Sequence, residues 1–220
     1  MRRLFCVFVL LIVTCSALSQ NAGPSTSPDN KVSWKPPAWD FLSELPKPTV
    51  PHEILASLLI SGFRVGLEDT KMEDVKATLG GTIGHAGDAA GFLEWLCFHG
   101  TESEGHWVLW LESGEIDGGY VGSFQWQNVS DGEVLDKRCQ LLPATDVGIH
   151  LPIALRLGAT ESDVLKILGP PTARKGGGLI YVHEHKESIR GEPYTSSNIV
   201  AILLRGGVVS SIAVSKTTSS

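Results

Sequence analysis

Residues able to do chemistry are few in this chain. His183-Glu184-His185 sets two imidazoles on one side of an extended segment, where both reach one ion, but two ligands do not make a metal site. His99, His106 and Glu187 are the available third donors, and no spacing brings them to the pair. Cys97-Phe98-His99 places a thiol and an imidazole on one strand face without a group to orient the base, and there is no Gly-x-Ser-x-Gly elbow. The glycine-rich run from Gly84 to Gly91 lacks the Lys-Ser/Thr ending of a phosphate loop and follows a helix instead of joining a strand to one. The sequence therefore predicts no catalytic residue, no metal ligand set and no cofactor. A zinc-dependent enzyme built on the histidines is the catalytic alternative. Glu102, Glu104, Glu112, Glu115 and Asp117 fall in or beside hairpin turns, as a solvated edge or as acids that enter the cationic pocket of a target enzyme.

The composition agrees with a binding role more than with nucleic acid. The 220 residues are 42% hydrophobic and 19% charged, with 24 glycines and a net charge of -6, the values of an ordinary globular chain. No Lys/Arg cluster forms a phosphate-binding stripe, so nucleic acid is excluded as a partner. Met1-Arg2-Arg3 followed by the apolar run Leu4 to Val13 and the small residues Thr14 to Ser19 reads as a secretory signal peptide over 1–19. The run is about half the ~20 residues that span a bilayer as a helix. A lipobox-like reading of Ile12-Val13-Thr14-Cys15 would make Cys15 a lipidated first residue, the one route to a membrane. The expected location is periplasmic or extracellular. In an oxidising compartment Cys97 and Cys139, the two cysteines left after cleavage, are predicted to form a disulfide that ties a sheet to its linker.

Residues 20–50 read as a disordered, proline-rich tether, with Trp34-Lys35-Pro36-Pro37-Ala38-Trp39 as an extended arm whose tryptophans pack on the domain, followed by a short helix at His52 to Leu59. Beyond it, one pattern occurs twice. Thr70 to Gly81 and Thr160 to Pro171 are both short helices that open on threonine with an acid three residues later, and both reach Leu-Gly. Met72, Val75 and Leu79 share a face of the first, and Val164, Ile167 and Leu168 of the second. Each is followed by three strand-like runs: Leu93 to Phe98, His106 to Glu112 and Tyr120 to Gln127, then Leu179 to His185, Asn198 to Arg205 and Val208 to Ser215. Ser113-Gly114-Glu115 and Arg205-Gly206-Gly207 are the corresponding turns. The sequence predicts an α+β fold of two tandem units, 51–127 and 149–220, joined by a linker over 128–148, each a short helical segment on a small antiparallel sheet.

The second unit, LRLGATESDVLKILGPP, then LIYVHEH, then NIVAILLRGGVVSSIAV, resembles the small outer-membrane lipoprotein family SmpA/OmlA, also called BamE, with Ala159 where that family usually carries Met. The tandem arrangement is similar to that of the β-lactamase inhibitor protein family. The resemblance spans about Phe63 to Lys216 and implies a non-enzymatic protein that binds another protein, as an envelope-assembly factor or an inhibitor of a secreted enzyme.

Four of the six tryptophans fall in the strands of the first unit, with Phe98, Tyr120 and Phe124. Alternation puts Trp107 and Trp110 on opposite faces, so helices on one face cannot cover both. Trp107, Trp110, Tyr120, Phe124 and Trp126 are accordingly the candidate protein-binding residues. The expected function is an exported, non-catalytic protein-binding module, with a lipid-anchored structural scaffold of the bacterial envelope as the alternative.

Overall fold

The computed structural model describes residues 31–39, 45–88, 91–102, 105–130, 133–142, 148–189 and 191–219. The signal peptide, Cys15 and much of the tether and linker lie outside the described residues. In chain order the elements begin with β1 (Lys31–Val32), β2 (Ser57–Ile60), β3 (Phe63–Gly66) and α1 (Met72–Leu79). Then come β4 (Gly84–Ala86), β5 (Leu93–Glu102), β6 (Gly105–Gly114) and β7 (Ser123–Val129). The crossing segment holds β8 (Val134–Leu135), β9 (Gln140–Leu141) and β10 (Ile149–His150). The last set is α2 (Glu161–Leu168), β11 (Ala173–Lys175), β12 (Gly178–Ile189), β13 (Glu192–Arg205) and β14 (Val208–Ser219).

The fold is α+β, a large antiparallel sheet with two short helices. Strands run in the order β11-β12-β13-β14-β7-β6-β5-β4, and β9 pairs in parallel with β5. Each helix is thus followed by a four-strand meander, and the two meanders meet where β14 pairs with β7, from Ser211 opposite Gln127 to Ser215 opposite Ser123.

Both helices have eight residues, too few to hold without tertiary contacts. Met72, Val75 and Val164 are buried in one apolar cluster with Leu96, Phe98 and Trp107 of the sheet and with Tyr181 and Ile202 at its other end. Three backbone hydrogen bonds fix the entrance to each helix against the last hairpin of its meander. Around α1 they run from Glu68 N–H to Val121, Val121 N–H to Thr70 and Met72 N–H to Gly119. Around α2 they run from Gly158 N–H to Val209, Val209 N–H to Ala159 and Glu161 N–H to Gly207.

Two local expectations are corrected. Thr160 closes the capping box with Asp163, but Thr70 does not cap α1: the N-cap is Lys71 with no side-chain bond, because the Thr70 hydroxyl accepts the Gly66 N–H at 2.9 Å. The stretch His52 to Leu59 holds no helix. Ser61 and Gly62 both take positive φ, which turns β2 back on β3 as a hairpin, and Asn198 accepts from the N–H groups of Ile54 and Leu55.

The face of β5 and β6 opposite the helices carries a second cluster: Trp95, Cys97, Val108 and Trp110, closed by Val32, Val129 and Cys139. The stretch 31–39 crosses this face, so the arm belongs to the folded body.

Candidate functional site

The structure seals most of the predicted aromatic surface. Trp107, Phe124 and Trp126 point to the helix side and are 4%, 0% and 2% exposed, and Trp110 on the other side is 1% exposed. Only Tyr120 keeps a partly open ring, with the Lys71 ammonium 5.6 Å from its centroid. The expectation of an exposed aromatic sheet face is therefore corrected. Trp107 and Trp110 do lie on opposite faces, and the layer over Trp110 comes from the chain itself.

That cover is built from two segments. β1 pairs in parallel with β8, which brings the arm beside residues 133–142. Cys139, in that second segment, is disulfide-bonded to Cys97 of β5, with Cα atoms 4.6 Å apart. Trp34 lies edge-on to Trp95 at 5.2 Å, with the Arg138 guanidinium 4.3 Å over its ring. Asp136, itself buried, accepts from the backbone N–H, Nε and a terminal nitrogen of Arg138, so the cation is aimed before it meets the ring. The Trp110 Nε1–H donates to the Trp34 carbonyl.

The turn acids divide. Glu102 accepts from the Ile149 N–H at 3.0 Å, and Glu104 lies outside the described residues. Asp117 folds back to accept from the Gly114 N–H at 2.5 Å, and burial holds its carboxyl above the usual range. Glu115 alone stays exposed at the tip, beside Ile116, which is 75% exposed and is the most open large apolar side chain among the described residues. Phe92, also exposed, precedes the strand end where Leu93 pairs with Gly114, so it lies at the same end of the sheet.

Glu112 is the acid that the turn reading misplaces. It points from β6 to the face opposite the helices and is 9% exposed. Gln125 Nε2 donates to its Oε1 at 2.7 Å. Burial, reinforced by Asp117, pushes its pKa up to about 7 despite that hydrogen bond. Glu112 lines a cavity of about 400 Å³ over the β7–β14 junction, roofed by the arm from Lys35 to Trp39. Side-chain alternation alone could have flagged Glu112, because it shares a face with Trp110.

Of the nucleophile and metal candidates, Cys97 and His183 are otherwise engaged, and His185 is exposed. Cys97 is in the disulfide, and His99 is held below the usual histidine range, first by burial and then by His106. His183 Nδ1 donates to the Val50 carbonyl at 2.9 Å, helping to seat the chain after the arm. Among the described residues no group of three His, Cys, Asp or Glu side chains converges, and no helix is long and apolar enough to cross a membrane. No family model, curated protein or solved structure matches the chain.

Proposed function

We propose that the chain is an exported, non-catalytic protein-binding module made of two units of one supersecondary design, of the kind that the SmpA/OmlA resemblance implies. Support for the repeat comes from the paired sets of three hydrogen bonds at the helix entrances and from the two meanders. The helix ends agree as well: Gly80 and Gly169 take φ 80° and 76° and donate to Lys76 and Leu165.

The contact surface moves from the sheet face to the β6–β7 tip. The observation that carries this reading is Ile116, 75% exposed on a turn whose neighbours are fixed. Asp117 accepts from Gly114, Tyr120 N–H donates to the Asp117 carbonyl at 3.0 Å, and Gly118 and Gly119 take positive φ to return the chain. An apolar side chain on a braced turn loses little entropy on contact, which is what an anchor at a protein interface requires. Glu115 beside it favours a partner with a basic rim.

The test is a photo-crosslinking residue at position 116, or at Arg205 on the opposite hairpin as control, in cells that make the protein. One adduct of defined mass at 116 and none at 205 is expected. No adduct at 116, or the same adducts at both, overturns the proposal.

A further inference from the structure

The cavity at the sheet junction has a built interior. Its floor is the small-residue patch where the two meanders join, Ser123 of β7 with Ala213 and Ser215 of β14. Its apolar walls include Pro36, Trp39, Leu93 and Ile199. Glu112 and Gln125 are among the polar residues that line this volume of about 400 Å³. Glu112 has one hydrogen bond, on Oε1, so Oε2 is unpartnered among the described residues.

Glu112 is the one carboxylate among the residues that line this volume, and one N–H of Gln125 Nε2 donates to it. Leaving the ionised Glu112 without a counter-charge costs free energy, and a cationic guest recovers it. A divalent ion is a poor fit: Glu112 is the one carboxylate in the lining, and Asp117, whose charge acts on it, bonds to Gly114 at the turn. We propose that the cavity binds a small organic cation, a primary ammonium on an apolar body, with Glu112 as counter-charge. The groups Ser123, Ala213, Ser215 and Ile199 that face Glu112 from β7, β14 and β13 carry no charge. Asp117 contributes a negative field, and Lys35 on the arm is the competing cation at the wall.

The proposal is independent of the Ile116 tip, and its test uses purified protein alone. Phenethylamine and its uncharged counterpart phenethyl alcohol are titrated against the disulfide-intact chain by calorimetry. The amine is expected to bind and the alcohol to bind at least tenfold more weakly. Glu112→Gln is expected to weaken the amine at least tenfold. Lys35→Met, which alters an exposed side chain and leaves the fold intact, is expected to tighten it. Amine affinity should fall about tenfold for each pH unit below 7, as Glu112 takes up its proton. Equal binding of amine and alcohol, no binding of either, or weaker binding in the Lys35 variant would overturn the proposal.

Discussion

The indole N–H of Trp110 donates to the backbone carbonyl of Trp34 at 3.0 Å, so a ring at the centre of the sheet is satisfied by the arm that covers it. The cover is therefore part of the fold's hydrogen-bond closure. Replacing Trp34 by alanine removes the ring held between Trp95 and Arg138 and opens the second cluster to water. A loss of about 2 kcal/mol is expected from urea titration, since the ring is only half-buried. A red shift of the tryptophan emission should accompany it, and an unchanged midpoint would show that the arm only rests on the sheet.

The disulfide between Cys97 and Cys139 closes a separation of 42 residues and holds 133–142 against β5. Its removal by a double Cys→Ser substitution should cost about 3 kcal/mol. Hydrogen exchange gives the sharper reading. Amides of 133–142 and of β1, which pairs with β8, should lose protection before those of β12 to β14. Uniform loss across the sheet would show that the cover is not a separate cooperative unit.

What the sequence revealed and what it hid follow from the range of the interactions. The helices and three of the four strands that follow each were legible because Leu-Gly ends and strand alternation act over a few residues, whereas β4 and β11, three residues each, are too short to show a pattern. The fate of Trp110 was not, since its partner Trp34 lies in a segment whose composition resembles a tether. Thr70 and Thr160 sit in matching local patterns, yet only Thr160 caps, because Gly66 captures the other hydroxyl through a loop that the pattern does not encode. Glu112 reads as the last residue of its strand, beside a turn, because strand ends are poorly marked in sequence: β6 runs on to Gly114.

Two tryptophans lie on their own cross-strand partners, and both partners are glycine. Gly84 pairs with Trp95 and Gly100 with Trp107, and a Cβ at either glycine would meet the ring inside 3 Å, at 2.4 Å in both cases. These rings shield backbone that a strand glycine would otherwise expose. Gly84→Ala and Gly100→Ala should each cost about 1 to 3 kcal/mol, as overpacking does. Gly91, where nothing lies within 4 Å of the added Cβ, is the control and should change the denaturation midpoint little. Equal losses at all three would show that the ring contact is not the cause, since the backbone-entropy effect of Gly→Ala is stabilising.

Glu112 is protonated in the folded chain up to about 7, whereas its ordinary value is 4.5. Between those values the native state holds a proton that the unfolded chain releases, so stability falls as pH rises. The contribution is intact below 4.5 and is lost as pH passes through 7, a change of about 3 kcal/mol at most. Glu112→Gln keeps the shape and removes the titration. It should therefore unfold at higher urea than the parent at pH 8, and at nearly the same urea at pH 4. A parent whose midpoint does not fall between those limits, or a variant that loses stability at pH 8, would mean that the carboxyl is ionised and already paired in the cavity.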